Sequence, residues 1–369
     1  MATAPVLLLF LLLSVTTELS TVSSPADQSR LRTFHITEKR MNQTEARAAC
    51  RTNYTDLVTV YSDEDNTALT NLINMTGISL AWIGLIRNQS SDKWSNGDDV
   101  TFSNLTGVCG SGSCCVAMKA DGSWESLQCT DKRNFMCYKR DADLTLRYHL
   151  TSENMSWYEA QSYCRKNYTD LVSIRDQNQN EAVKIEGLTS RTSFWIGLLH
   201  DGWEWTDGGR SAYRNWATAQ PRSSSVCVRL RKGKWETSPC SNTRPALCYN
   251  TLIHVSAEQM DWESALDYCQ RENRTAILRI ESDLDQKEVK FELRRRRVSG
   301  PLWVGLGQSR LSELLKSSSK LALGPWTNRN ERQTEPAPLS RAGTDTVEKT
   351  FRKKTDVSAL RAVCELKQP

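Results

Sequence analysis

The sequence has few of the residues that catalysis and zinc binding use, and it lacks the usual catalytic motifs. Only 4 of its 369 residues are histidine, the side chain that most often titrates near neutral pH. It contains no HExxH, no G-x-S-x-G and no glycine-rich phosphate loop. Without such a constellation a hydrolase or another enzyme is disfavoured, and we predict a non-catalytic protein.

A long apolar run and a strong charge are missing as well. No segment beyond the N-terminus approaches the roughly eighteen consecutive apolar residues of a transmembrane helix, so no membrane span is predicted there. The net charge of +5 is too small to indicate a nucleic-acid partner. Hydrophobic residues make up 38% and charged residues 25%, which is typical of globular domains.

The N-terminal segment predicts entry into the secretory pathway. Val6–Leu13 is an apolar run too short to cross a bilayer, and small residues follow it as far as Ser24. This pattern is typical of a signal peptide, which we place at residues 1–24 and favour over a membrane anchor. Eight N-x-Ser/Thr sequons agree with a secreted, extracellular glycoprotein. They begin at Asn42, Asn53, Asn74, Asn88, Asn104, Asn154, Asn167 and Asn273.

The chain repeats one pattern of segments at a period near one hundred residues. The segments EARAAC, EAQSYC and ESALDYC end at cysteines that are 114 and 105 residues apart, and WIGL, WIGL and WVGL follow them. A unit of this length is a domain and not a solenoid turn. We therefore predict three domains, at residues 25–139, 140–250 and 251–369. The third diverges from the pattern and lacks an inner cysteine pair.

Each repeat predicts a mixture of helices and strands. Ser156 and Glu159 form a capping box before an apolar face that includes Cys164, and the other repeats start a helix at the same place. A second helix is expected from near Asp63, Asp176 and Asp283. The WIGL segments predict strands, and the Gly-, Asn- and Ser-rich sequence after them predicts long loops.

The even number of cysteines, 12, fits a disulfide-bonded protein. Cysteines at matching places should pair inside each repeat, which leaves no thiolate nucleophile. The predicted pairs are Cys50–Cys137, Cys164–Cys248 and Cys269–Cys364 between first and last positions, Cys115–Cys129 and Cys227–Cys240 as inner pairs, and Cys109–Cys114.

Together these segments resemble the C-type lectin-like domain, arranged in tandem as in macrophage mannose receptor-type lectins. The resemblance rests on the helix-borne first cysteine, the WIGL motif, an inner cysteine pair whose second member follows GSW or GKW, and a final cysteine strand. It implies an α+β fold with two helices, two small antiparallel sheets and a long loop in each of three disulfide-stapled domains.

Family members that bind sugars do so through calcium, held by Glu-Pro-Asn or Gln-Pro-Asp and by Trp-Asn-Asp. Gln220 and Pro221 match the first motif, but Arg222 stands where an acid or amide is expected. Glu236 and Thr237 replace the Asn and Asp of the second. Because calcium prefers several charged oxygens, we predict no calcium cofactor. Gln220, Pro221, Arg222 and Glu236 remain the candidate ligand-binding residues, although a plain loop turn is the alternative at Gln220 and Pro221.

The other two repeats depart further from the sugar-binding pattern. The first has Leu105 where the second has Trp216, and the third has only Glu335–Ala337 as a partial match, near Trp326. The tryptophans of the WIGL motifs are expected in the core. His35, His149 and His254 occupy one repeat position in the first strand of each unit, which predicts a structural role.

The resemblance implies recognition of a carbohydrate or glycoprotein, in the setting of innate immunity. The altered calcium residues keep an alternative open, which is calcium-independent binding of a protein ligand without sugar-binding activity. Arg294–Arg297 could form a weak contact with a polyanion near Arg294. We favour the plainer interpretation, a solvated helix end.

Overall fold

The computed structural model describes residues 29–107, 109, 112–140, 145–300, 302–306, 340–344 and 359–367. The predicted signal peptide, and in the third repeat Trp326 and Glu335–Ala337, lie outside these residues. Within the described ranges, none of the helices has the length and hydropathy that a bilayer crossing requires.

Helices occur where the capping signals predict them. The helices are α1 (Gln43–Asn53), α2 (Asp63–Met75), α3 (Trp157–Asn167), α4 (Gln177–Glu186), α5 (Trp262–Cys269) and α6 (Asp283–Arg295), with a short 3-10 helix at Gly187–Thr189. The Ser156 side chain accepts from the Glu159 backbone N–H, and the Glu159 carboxylate accepts from the Ser156 N–H. Both bonds satisfy donors that the first turn of a helix leaves free.

The strands form three sheets. The strands of the first two repeats are β1 (Arg32–Ile36), β2 (Asp56–Leu57), β3 (Leu80–Trp94), β4 (Cys114–Met118), β5 (Trp124–Leu127), β6 (Arg133–Arg140), β7 (Leu146–Met155), β8 (Asp170–Leu171), β9 (Phe194–Trp205), β10 (Cys227–Arg231), β11 (Lys234–Ser238) and β12 (Leu247–Thr251). Those of the third are β13 (Ile253–Met260), β14 (Arg274–Ile277), β15 (Arg279–Ile280), β16 (Leu302–Leu306), β17 (Ser340–Thr344) and β18 (Leu360–Leu366).

The two strands that carry the first and second WIGL motifs continue beyond these motifs without a turn and pair with each other. β3 has 15 residues and β9 has 12, and they pair antiparallel from Leu85 opposite Trp205 to Trp94 opposite Leu198. β3 therefore begins in the core that contains the helices of the first repeat and ends in the core that contains the helices of the second. β9 does the opposite. We refer to this arrangement as the half-exchange.

The half-exchange builds two folded units, each from parts of both repeats. The outer unit consists of residues 31–86 and 203–251, because β12 pairs with β1 and β2 while β10 pairs with β3. The inner unit consists of residues 94–140 and 145–198, because β6 pairs with β7 and β8 while β4 pairs with β9. Each unit retains two helices beside mainly antiparallel strands, as the α+β prediction requires. The pairing of β3 with β9, however, joins strands of both units into one nine-stranded sheet in place of separate small sheets.

The disulfides follow the folded units and not the sequence repeats. Four predicted pairs are present: Cys109–Cys114, Cys115–Cys129, Cys227–Cys240 and Cys269–Cys364.

The predicted pairs Cys50–Cys137 and Cys164–Cys248 are wrong. Cys50 is bonded to Cys248 and Cys137 to Cys164, with Cα atoms 5.4 Å apart in both. The physical reason is the half-exchange, which brings β12 beside α1 and β6 beside α3. The prediction assumed that each repeat closes on itself.

The repeated aromatic positions have the structural roles predicted for them. Trp82, Trp195 and Trp303 are fully buried, and each indole N–H donates to a methionine carbonyl at 2.8–3.0 Å. The three repeated histidines each stack on a tyrosine, with ring centroids 4.6–5.9 Å apart. The pairs are His35–Tyr54, His149–Tyr168 and His254–Tyr268. These contacts lie in three separate cores, so the histidines do not converge on one site.

The C-terminal unit, which comprises the described residues from 252 onward, packs against the outer unit through α6. The Phe291 ring stacks on Tyr61 with centroids 3.9 Å apart. Arg32 lies between the carboxylates of Asp65, at 2.6 Å, and Glu288, at 3.0 Å. Burial raises the pKa of Glu288 to about 7, although the neighbouring Arg32 guanidinium favours the ionised form. The contact therefore has a polar centre as well as an aromatic one.

Candidate functional site

The loop that precedes β10 contains three of the four candidate ligand-binding residues. Gln220 and Pro221 are joined by a cis peptide bond. The Gln220 Oε1 atom accepts hydrogen bonds from the Thr237 hydroxyl at 2.8 Å and the Thr237 backbone N–H at 3.1 Å. The Arg222 backbone N–H donates to the same hydroxyl at 3.1 Å. Thr237 of β11 thus ties the loop to the sheet.

Glu236, the fourth candidate, lies next to Thr237 but has different partners. Its carboxylate accepts from Arg229 Nε at 3.0 Å and Nη2 at 2.7 Å. Arg231 Nη1 is 3.6 Å from the other oxygen. Gln220 and Arg222 therefore meet at Thr237, whereas Glu236 is held by arginines of the neighbouring strand.

These contacts do not fit a calcium site. Calcium would need the Gln220 oxygen and several carboxylate oxygens directed at one point. Here the Gln220 oxygen is occupied by Thr237, and the carboxylate of the adjacent residue, Glu236, is paired with two guanidinium groups. Across the part of the chain that the structure describes, no three His, Cys, Asp or Glu side chains are grouped so as to hold a metal ion.

A residue from the first repeat completes this loop, and the sequence did not predict it. Arg87, near the middle of β3, donates from Nη1 to the Ser223 carbonyl at 2.8 Å and from Nη2 to the Arg222 carbonyl at 2.7 Å. A guanidinium fork can bind two oxygens at once. Arg87 thus supplies a fixed positive charge to loop carbonyls, and it reaches them only because of the half-exchange.

Aromatic rings lie beside this guanidinium. The Arg87 side chain is 4.8 Å above the Trp203 ring, and Trp203 is 4.9 Å from Trp216. Trp203 is buried, whereas Trp216 is only partly buried. Of the tryptophans in the second repeat's loop region, Trp216 is thus the one placed to meet a ligand.

The inner unit has the same framework without these loop residues. Leu105 forms the bridge to Trp124 that Trp216 forms to Trp235 in the outer unit. Glu125 accepts from the Ser193 hydroxyl at 2.5 Å. An apolar residue thus replaces the partly exposed tryptophan, as the sequence predicted.

The arginine run at the end of α6 is used inside the protein. Arg294 Nη1 donates to the Asn96 carbonyl at 2.9 Å, and Nη2 contacts the Asp98 carboxylate. Arg295 and Arg296 both contact Glu292. The helix does end here, as predicted, but three of the four arginines form internal contacts and are not simply solvated.

Replacing Arg87 with alanine should loosen the loop without unfolding the protein. Two hydrogen bonds from a charged group are lost, each worth about 1.5–3 kcal/mol, while the Arg87 backbone still donates to Val226. Amide exchange across residues 217–226 should accelerate by about tenfold or more. The measurement is hydrogen–deuterium exchange with mass spectrometry.

Arg87→Lys is the matched variant, because it keeps the charge but loses the planar fork. It should also accelerate exchange in the loop. Unchanged protection of residues 217–226 in both variants would show that Arg87 does not position them.

Comparison with known proteins agrees with the repeated framework. The Lectin C-type domain profile matches residues 39–139 and 153–250, which together are more than half of the chain. L-selectin of Bos taurus is 33% identical over 116 residues, which are 28% of this chain and 31% of that protein. C-type mannose receptor 2 of Homo sapiens is 24% identical over 250 residues, which are 55% of this chain and 16% of the receptor.

Among solved structures, human lithostathine matches 61% of this chain and 95% of its own, with 14% identity and a TM-score of 0.29. The chain spans about a third or less of the length of the two curated relatives.

Proposed function

We propose that this chain, which belongs to the Lectin C-type domain family, binds a glycan or glycoprotein ligand without using calcium. Lectin-like recognition follows from the family. Independence from calcium is the finer part of the proposal, and it concerns the loop of Gln220, Pro221 and Arg222.

One observation carries the proposal. The Gln220 side-chain oxygen accepts from Thr237 at 2.8 Å, and Arg87 holds the carbonyls of Arg222 and Ser223. A loop that is bound in this way needs no metal ion to order it, because donors of the protein already satisfy its oxygens. A loop that is ordered before binding loses less conformational entropy when a ligand arrives.

Secretion of the protein and a role in innate immunity are also part of the proposal. The apolar run at Val6–Leu13 and the eight sequons support secretion. A role in innate immunity rests on the family resemblance alone. That residues 251–369 form a third domain of the same family also remains a prediction.

A protein ligand is the second candidate. The partly buried Trp216 and the exposed Arg222 are side-chain types that are enriched at protein–protein interfaces. The same loop could therefore bind a protein surface with no sugar involved. The two candidates share calcium independence and differ in the ligand.

Calorimetric titration of calcium into EDTA-treated full-length protein tests the shared part. We expect no binding at millimolar calcium, and the same melting temperature with EDTA and with calcium. A ligand that bound only the folded state would raise the melting temperature. Calcium binding with a millimolar or tighter dissociation constant would overturn the proposal.

A glycan array probed in EDTA then separates the two candidates. Glycan signals that Arg87→Ala weakens would support glycan recognition by this loop. An array without any signal, together with capture of a defined protein partner in EDTA, would replace it with the second candidate.

A further inference from the structure

Four arginines gather on one side of the β10–β11 hairpin of the outer unit. Arg229 and Arg231 are two residues apart on β10 and so point to the same side of the strand. Arg244 Nη2 donates to the Ser238 hydroxyl of β11 at 3.0 Å, and Arg40 Nη2 donates to the Thr243 carbonyl at 3.1 Å. We refer to Arg40, Arg229, Arg231 and Arg244 as the arginine face.

The arginines are close enough to affect one another. Burial and the positive charges of Arg229 and Arg40 lower the pKa of Arg244, which Glu236 only partly offsets. The Arg244 guanidinium lies 5.3 Å from the Trp82 ring, which fixes its position. In the described part of the chain, its Nε atom is buried without a hydrogen-bond partner.

The positive charge of the arginine face exceeds the negative charge beside it. Among the described residues, Glu236 is the one carboxylate that forms ion pairs with any of the four, and it is shared between Arg229 and Arg231. Four guanidinium groups and one carboxylate leave a local excess of three positive charges. Arg40 is exposed, and the Arg231 side chain is 46% exposed.

The inner unit shows that the fold itself does not require all of this charge. Ala117 of β4 occupies the position of Arg229, and Asn154 occupies that of Arg40, whereas Lys119 keeps a positive charge at the position of Arg231. Arg133 matches Arg244, since it lies over Trp195 as Arg244 lies over Trp82. Arg133, however, donates to Ser193 at 2.8 Å, and Ser193 donates to Glu125. The inner unit thus carries two positive charges at the four equivalent positions, whereas the outer unit carries four.

We propose that the arginine face binds sulfated glycan chains. Guanidinium groups bind the planar or tetrahedral oxygens of carboxylate and sulfate groups through paired hydrogen bonds. Neighbouring positions on one side of a strand are about 7 Å apart, so an extended chain with repeated anionic groups can engage several arginines at once. The proposal rests on the proposed glycan recognition and names a ligand class for a surface separate from the Gln220 loop.

The arginine face is better placed to bind a polyanion than the run near Arg294, where a weak contact was the less favoured interpretation. Arg294, Arg295 and Arg296 already contact carboxylates of the protein. Their guanidinium groups would have to leave those partners in order to bind an external anion, whereas Arg40 and Arg231 are accessible as they stand.

Surface plasmon resonance on immobilised heparin tests the proposal with the full-length protein. The test variant is the double substitution Arg40→Gln with Arg231→Gln, which leaves Arg244 on Trp82 and Arg229 on Glu236. The control is Arg191→Gln with Arg297→Gln, which removes the same charge at exposed positions elsewhere. We expect the heparin dissociation constant to rise at least about tenfold in the test variant and to change little in the control.

Three results would overturn the proposal. The first is no binding of the wild-type chain to heparin at physiological salt, including the case in which phosphatidylserine vesicles bind instead. The second is equal weakening in both variants. Desulfated heparin should bind far more weakly than heparin, and equal binding of the two is the third result. If the glycan array in EDTA shows ligands while heparin is not bound, this inference alone fails and the proposed function stands.

Discussion

Replacing Asp201 with alanine is expected to lower the free energy of unfolding by about 3–5 kcal/mol. The Asp201 carboxylate is 1% exposed, and it accepts from Arg214 Nε at 2.8 Å and Lys93 Nζ at 2.9 Å. Burial opposes ionisation of Asp201, but Arg214 and Lys93 hold its pKa below the ordinary value. Without Asp201, two largely buried cations lose their counter-charge. Urea denaturation of the oxidised protein provides the measurement.

Asp92→Ala is the matched control on the same crossing. Asp92 is 41% exposed and contacts His200 at 2.7 Å. An exposed pair of this kind contributes about 0–1 kcal/mol. Asp201 and Arg214 both belong to the second repeat, whereas Lys93 belongs to the first, so the Lys93 share of the loss is the part that reports on the half-exchange. Equal, small losses in the two variants would argue that the buried triad does not form.

Replacing Arg32 with alanine is expected to have an effect of similar size and to weaken the contact with α6. Arg32 is 5% exposed and is bound to Asp65, Glu288 and the Thr59 carbonyl. Its removal leaves two largely buried carboxylates without their cation, which costs about 3–5 kcal/mol. We expect a lower melting temperature and faster amide exchange in α6.

A surface ion pair at the C-terminal end of α5 provides the control for Arg32. Arg271 and Asp267 lie four residues apart, and their side chains are 67% and 60% exposed. Arg271→Ala should change stability by only about 0.2–0.5 kcal/mol. If Arg32→Ala destabilised the protein no more than Arg271→Ala, or left α6 fully protected, the described docking of α6 would be contradicted.

Much of the fold could be predicted because its signals are local. The capping box of Ser156 and Glu159 fixes the start of α3 through atoms three residues apart. The buried tryptophans of the WIGL motifs follow from the repeat, because each repeat places the same side chain in an equivalent core. The structural role of the repeated histidines could be predicted for the same reason.

The half-exchange could not be predicted, because its signals are not local. A strand such as β3 has the same sequence whether it turns back near Asn88 or continues to Trp94. Contacts that occur only in the exchanged arrangement lie where β3 pairs with β9, and there Lys93 meets Asp201 from the other repeat. The assumption that cysteines pair inside a repeat therefore failed for Cys50 and Cys164.

In the candidate site, too, local features could be predicted and features that depend on distant residues could not. The departure from the calcium-binding pattern at Arg222 and Glu236 could be seen in the sequence, since it depends on residue type. The role of Arg87 could not, because it lies more than 130 residues from the loop that it holds. The arginine face could not be predicted for a related reason, since Arg40 and Arg244 come together only through pairing of distant segments.

Mass spectrometry of a non-reducing digest tests the half-exchange most directly. In the unmodified protein, we predict that the peptide with Cys50 is linked to the peptide with Cys248, and the peptide with Cys137 to that with Cys164. Recovery of Cys50 linked to Cys137 and of Cys164 linked to Cys248 would contradict the half-exchange, and with it the placement of Arg87 on the Gln220 loop.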